Sequence, residues 1–306
     1  MKTCFLFPGQ GAQYPGMGRD FYDTSSAARE LFVLASDASG IDMQKLLFEG
    51  TEEDLKKTRN TQLAVALVGL AAATCAREHG IVPEGCAGFS VGEWPALAEA
   101  GVISAADMFK LVSERGRLMD EAGARSGGST MSAVLGLAPA AIEAAIEGAG
   151  LKQAWVANYN SPSQSVISGT EVDVAAAEEA IKAAGAKRVV RLKVSGAFHS
   201  PIMASARDGF GAAVESVVFS DPKIALFSNV TGKRISSGAE AKRFAVEQIV
   251  SPVRWIDEES AIVAEKPGFC AETGPGTVLS GLWKQVGEEI PCYPFGTLDA
   301  IASVSL

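Results

Sequence analysis

The sequence predicts an α/β protein in which helices pack on a mostly parallel sheet and a smaller βαββαβ unit is inserted. Three observations carry this prediction. Short apolar runs alternate with helix-patterned stretches along the 306 residues. Residues 130–194 read as β-α-β-β-α-β, the self-contained split βαβ unit of ferredoxin-like folds. Gly88-Phe89-Ser90-Val91-Gly92 has the G-x-S-x-G spacing of a sharp strand-to-helix turn, where flanking glycines remove Cβ atoms that would collide.

The elements follow in chain order. Cys4 to Phe7 is a buried strand entering a glycine-rich loop, Pro8 to Gly18, which lacks the G-x-G-x-x-G spacing of a dinucleotide cradle. Helices are expected over 27–38 and 61–78, the second apolar almost all round and therefore a core helix. Cys86 to Phe89 closes a short strand, and Glu93 to Ala100 is helical with Gly101 as its stop. Pro95 deletes a hydrogen bond in that helix and is expected to bend it.

A helix follows over 104–122, with Met108, Leu111, Val112, Leu118 and Met119 as its apolar stripe. Arg115 falls in the middle of the stripe, and a buried guanidinium demands an anionic or hydrogen-bonding partner. The inserted unit has strands at 130–137, 155–159, 165–168 and 188–194 and helices at 139–147 and 172–184. Beyond it come a strand at 223–228, helices at 239–250 and 255–265, a strand at 269–272 and a helix at 277–286. This divides the chain into a core of residues 1–126 and 197–306 and an inserted unit of residues 127–196.

Composition excludes several classes. The net charge is −9 and Lys/Arg do not cluster, so no nucleic-acid partner is expected. The five cysteines are scattered without a C-x-x-C pair, and there are only two histidines. No metal site is therefore expected, and the thiols read as small core residues of a reducing compartment. The N-terminal apolar run is too short for a signal peptide, and 63–75 is too short to span a bilayer. A cytoplasmic monomer without a membrane partner is the expectation.

A serine hydroxyl needs a base within hydrogen-bond reach to act as a nucleophile. His79 closes a helix before Gly80, where an imidazole caps free carbonyls. His199 lies in the loop Ser195-Gly196-Ala197-Phe198-His199-Ser200, after the last strand of the inserted unit, and is the better base for Ser90. The competing reading makes Ser90 and Glu93 an S-x-x-E capping box. For Arg115 the alternatives are a substrate carboxylate or an ion pair with a residue such as Glu93.

Six stretches then carry a family resemblance: Phe7-Pro8-Gly9-Gln10-Gly11-Ala12-Gln13, Gly88 to Glu93, Arg115 to Met119, Asn158 to Pro162, Val194 to Ser200 and Pro252-Val253-Arg254-Trp255. Together, and over nearly the whole chain, they resemble the malonyl-CoA:acyl carrier protein transacylases and the related acyltransferase domains of fatty-acid and polyketide synthases. The resemblance implies an α/β-hydrolase-like core with a ferredoxin-like subdomain. It implies malonyl-CoA as donor, the phosphopantetheine thiol of an acyl carrier protein as acceptor, and no cofactor or metal. By the same resemblance Ser90 is the nucleophile, His199 the base and acid, and the Gln248 carbonyl orients the imidazole. Gln10 and Val91 supply oxyanion-hole N–H groups, and Arg115 binds the malonyl carboxylate.

The family usually has histidine before the nucleophile, where this chain has Phe89. The Phe89 form resembles some organellar members, so an organelle matrix or stroma after removal of a transit peptide is the alternative location. Phe198 matches the malonyl-selective form, and Lys193, Arg191 and Lys284 are candidates for a carrier-facing basic patch. Two other functions compete: a serine thioesterase or hydrolase on a similar core, and an inactive scaffold.

Overall fold

The computed structural model describes residues 1–287 and 289–304. It contains a parallel sheet and a separate antiparallel sheet. The parallel sheet comprises β1 (Thr3–Phe7), β2 (Gly85–Gly88), β7 (Ala225–Leu226), β8 (Phe269–Thr273) and β9 (Cys292–Phe295), ordered β7-β2-β1-β8-β9. The antiparallel sheet comprises β3 (Ser129–Leu135), β4 (Ala154–Ser161), β5 (Gln164–Thr170) and β6 (Arg188–Arg191), ordered β4-β5-β3-β6.

Strand β1 is buried on both faces, as a central parallel strand must be. Phe5 and Phe7 point into the larger core with the Thr58–Glu78 helix, which is buried at every position from Thr61 to Ala76. Cys4 and Leu6 pack on the opposite face with Trp255 and Trp283. The small sheet has its own core, in which Val134, Ile142, Ile167 and Ile181 fill the space beneath two helices, Pro139–Gly148 and Glu171–Ala183. Among the described residues no helix is long and apolar enough to cross a membrane.

Several elements differ from their sequence reading. The strand expected over 223–228 has only two residues, and the Phe227 N–H makes the last bond to the neighbouring strand before the chain leaves the sheet edge. β6 stops at Arg191, although the Leu192 N–H still donates to the Met131 carbonyl at 2.9 Å, and Leu192 and Val194 line a cavity. The helix expected over 277–286 spans only Val278–Trp283, with the Glu272 carboxylate accepting the Leu279 and Ser280 N–H groups at 2.9 and 2.8 Å. The helix expected over 239–250 is Gly238–Glu247, which leaves Gln248 as its C-cap.

Pro95 costs its helix no intrahelical hydrogen bond. A 3-10 turn, Ser90–Gly92, precedes the Glu93–Glu99 helix and places Pro95 in the first turn, where N–H groups have no intrahelical acceptor. Sequence reading passes over the Ala204–Glu215 helix and edge strand β9.

The loop carrying His199 is moored to the Ala105–Arg125 helix by close backbone contact. A Cβ on Gly123 would run into the Ser195 carbonyl, and one on Gly196 would come within 2.9 Å of the Gly123 Cα. The Ser195 hydroxyl also donates to Asp120 at 2.8 Å, and the Ala197 N–H donates to the Ser129 hydroxyl at 3.0 Å. Gly123→Ala is therefore expected to cost about 1–3 kcal/mol in urea unfolding.

Candidate active site

Ser90 sits where β2 meets the 3-10 turn, with φ 52°. That left-handed conformation costs a non-glycine residue about 1–3 kcal/mol and persists only where the surroundings enforce it. A Cβ on Gly88 would strike the Gly92 carbonyl, and one on Gly92 would strike the Phe7 carbonyl. The glycine spacing is thus a steric requirement of this turn. His199 is the second strained residue, with φ 56°.

Ser90 and His199 meet. Ser90 Oγ lies 2.8 Å from His199 Nε2, and His199 Nδ1 lies 2.9 Å from the Gln248 carbonyl and 3.2 Å from that of Ser251. Two carbonyls at Nδ1 place its proton there and leave the Nε2 lone pair for the serine O–H. The Gln248 carbonyl is available to the ring because the helix ends at Glu247; its one backbone donor is the Ser251 N–H, at 3.4 Å. The capping box is not formed: the Glu93–Glu99 helix has no side-chain cap, and Ser90 Oγ faces the imidazole instead. His79 Nδ1 lies 2.8 Å from the Cys75 carbonyl at its helix end, away from this site.

Arg115 is fully buried beside the serine. Its guanidinium donates to Gln62 Oε1 at 2.6 Å, to Gln248 Oε1 at 3.0 Å and to Ser90 Oγ at 3.4 Å, while its Nε has no partner. Its hydrogen bonds thus run to amides and a hydroxyl, and the direct ion pair with Glu93 is not formed. The Gln248 side chain stands between them, donating to Glu93 Oε2 and to the Ser90 carbonyl. Gln62 and the Gln248 side chain were not identifiable from sequence, since neither belongs to a short motif.

Ser90, His199, Arg115, Gln10 and Val91 line one cavity of about 260 Å³, whose other walls include Phe89, Phe198, Met131 and Leu192. Phe89 packs edge-on against Trp255, with ring centroids 5.5 Å apart. A wider cleft of about 570 Å³ reaches His199 from the side of Trp155, Tyr159 and Pro252. Lys193, Arg191 and Lys284 are all exposed, but Arg191 already donates to Glu178 at 2.8 Å.

Burial governs the charges. It holds the His199 imidazole down to about 4, with the Arg115 cation adding to the effect against the two carbonyls. Burial also lowers Arg115 to about 10, with Glu93 opposing, so the guanidinium stays cationic at neutral pH. Glu93 is pushed up to about 7 by burial, against hydrogen bonds from Gln248 and Asn229 and the nearby Arg115. The imidazole is therefore neutral at physiological pH and able to take the serine proton.

An α/β protein that places a serine hydroxyl, a neutral imidazole and a buried cation in one cavity belongs with the enzymes of acyl chemistry. Comparison with known proteins narrows this. The acyl transferase domain family matches residues 4–293. A malonyl CoA-acyl carrier protein transacylase of Bacillus subtilis is 38% identical over 293 residues, covering 94% of this chain and 92% of the relative. The structure of the malonyl CoA-acyl carrier protein transacylase from Coxiella burnetii superposes with a TM-score of 0.94 at 33% identity, covering 99% of this chain and 96% of that one. A malonyl-transacylase in complex with a type II PKS acyl-carrier protein gives a TM-score of 0.94 at 34% identity, covering 99% and 98%. The chain belongs to this acyl transferase family, among the malonyl CoA-acyl carrier protein transacylases, and is an acyltransferase.

The raised Glu93 carboxyl has a thermodynamic consequence. A group whose pKa rises on folding, here from 4.5 to about 7, gives stability that is complete below about 4.5 and is lost as pH rises through about 7. Glu93→Gln removes that loss and keeps an oxygen acceptor. The stability of the variant relative to wild type should therefore grow between pH 5 and pH 7.5, as read by urea unfolding at both values.

Proposed function

We propose that this enzyme moves a malonyl group from malonyl-CoA to the phosphopantetheine thiol of an acyl carrier protein, through an ester on Ser90. The observation that carries the substrate assignment is Arg115. Its guanidinium is buried 3.4 Å from Ser90 Oγ, without an ion-pair partner among the described residues and with a free Nε. A substrate carboxylate is the partner such a group lacks, and charge-assisted pairing strongly favours it over an uncharged acyl end.

The geometry supports the following sequence of steps. His199 Nε2 takes the hydroxyl proton as Ser90 Oγ attacks the thioester carbon, and Gln248 and Ser251 steady the imidazolium through Nδ1–H. Backbone N–H groups of Gln10 and Val91, which border the same cavity, serve the developing oxyanion. The carbon–sulfur bond breaks and the departing CoA thiolate receives the proton from His199. The ester waits with its carboxylate on Arg115. The carrier thiol then attacks, giving its proton to His199, and the malonyl thioester leaves as Ser90 regains its hydrogen.

The reading requires no metal or cofactor of the enzyme's own, and places it in the cytoplasm as a monomer. Phe198, buried in the cavity wall, fills the space an α-methyl branch would need. Exposed Lys193 and Lys284 are the cations proposed to meet the acidic carrier. The names and complex reported above support both the donor and the acceptor. We also read residues 127–196 as a ferredoxin-like subdomain within an α/β-hydrolase-like core of residues 1–126 and 197–306. The βαββαβ order and the β4-β5-β3-β6 arrangement support the former, and the elbow at the end of β2 the latter. Glu288, Ser305 and Leu306 of that core lie outside the described residues.

Intact-mass analysis after exposure to malonyl-CoA should show one added malonyl group on the wild type and none on Ser90→Ala. Malonyl-loaded holo-carrier should then appear; free malonate beside an unloaded carrier would overturn the transferase reading in favour of a hydrolase. Arg115→Ala should lower malonyl transfer roughly ten- to a hundredfold while raising relative use of acetyl-CoA. Unchanged selectivity between the two donors would remove the carboxylate anchor.

A further inference from the structure

Behind the elbow, Asn229 is fully buried with every polar group engaged. Its backbone N–H faces Glu93 Oε2 at 3.3 Å, and its carbonyl accepts from the Arg254 N–H at 2.9 Å. The side chain makes four further bonds. Oδ1 accepts the Ser90 N–H at 2.7 Å and the Gln248 side-chain amide at 3.3 Å, and Nδ2 donates to the Gly88 carbonyl at 2.7 Å and to Glu258 Oε1 at 2.8 Å. Reversing the amide would set like groups against each other at all four contacts, so the network fixes its orientation.

These bonds continue a ladder. Along the edge of the parallel sheet, the Ala225 N–H donates to the Glu84 carbonyl at 3.1 Å and the Phe227 N–H to the Cys86 carbonyl at 3.2 Å. In a parallel pair the next rung would join residue 229 to the Gly88 carbonyl and the Ser90 N–H. The main chain of Asn229 has left the sheet to bond Glu93 and Arg254, and its carboxamide takes over that rung with the donor and acceptor of a peptide group. The rung falls on the two residues that bracket Phe89 and deliver Ser90 into its left-handed turn.

We infer that Asn229 is a positioning residue for acyl transfer, its carboxamide standing in for the missing strand and fixing the peptide on which Ser90 turns. Glu258 holds the carboxamide in register. The inference rests on Ser90 being the acylated residue. It gives this asparagine a role in setting the serine oxygen against the imidazole, apart from any contact with substrate.

Isosteric replacement isolates that role. In Asn229→Asp the protonated acid still donates to Gly88 or Glu258, whereas the ionised form accepts only. The titratable groups bonded to this position are Glu93 and Glu258, with Glu259 and Asp257 beyond Glu258, while His199 and Arg115 connect to it through Ser90 and Gln248. His199, held near 4, and Arg115, held near 10, do not titrate between pH 6 and pH 8.5. Glu93, pushed up to about 7, and Glu259, pushed up to about 8, titrate in both proteins, so the ratio of variant to wild type is what is read.

Acylation rate constants per folded molecule would be measured over that range with malonyl-CoA and with a serine-directed fluorophosphonate. The Asn229→Asp to wild-type ratio should fall by about tenfold or more as pH rises with either probe. Asn229→Ala should be slowed on the order of a hundredfold at every pH, chiefly in kcat. Rates within twofold of wild type in both variants, or an Asn229→Asp ratio that is flat with pH, would overturn the clamp. A wild type that takes the phosphonate but not malonyl-CoA refutes the donor assignment instead, and the phosphonate ratio still decides the clamp.

Discussion

One contact governs the architecture of this site: Ser90 Oγ against His199 Nε2, 2.8 Å apart and formed by residues that both carry positive φ. Neither conformation is one that serine or histidine adopts by preference. The surrounding structure must therefore hold two strained loops in register from distant parts of the chain. Gly88 and Gly92 keep the first loop tight, and Gly123 and Gly196 allow the second to lie against the Ala105–Arg125 helix. The end of the Gly238–Glu247 helix supplies the carbonyl that orients the ring.

The same contact explains why the site carries so much buried polarity. A desolvated imidazole beside a buried guanidinium is held neutral, which suits a group that must accept a proton. Gln248 serves several neighbours at once: its main-chain carbonyl faces His199, and its side chain joins Arg115 to Glu93 and donates to the Ser90 carbonyl and to Asn229. An amide in that place separates a cation from a carboxyl that would otherwise neutralise it. On the proposed reading, this separation keeps the guanidinium available for a substrate carboxylate, at the expense of a carboxyl group whose pKa is raised to about 7.

Much of this was legible in one dimension, and the parts that were not share a cause. The elbow, the core helix and the βαββαβ run are written in local spacing, which sequence preserves. Arg115 announced itself as a charge within an apolar stripe, and the structure buries it completely. Strand and helix ends were read less well, because tertiary bonds set them: Glu272 opens the Val278–Trp283 helix, and β6 ends before Val194, which lines the cavity. The Ala204–Glu215 helix did leave a trace, with buried Ala206, Phe210 and Val214 four residues apart, but Gly209 and Gly211 weaken the pattern. Asn229 was invisible for a different reason. In Ser228-Asn229-Val230-Thr231-Gly232 an asparagine looks like a turn former, and nothing local says that its side chain completes a sheet its backbone has left.

Since the account turns on the protonation and orientation of one ring, it is tested most directly by nitrogen-15 NMR of the imidazoles across pH. The chain has only two histidines, so a His79→Gln variant assigns both sets of signals. The account predicts that His199 remains neutral with its proton on Nδ1 down to a pH of about 4. A His199 ring that titrates near 6.5, or that carries its proton on Nε2 at neutral pH, would contradict it.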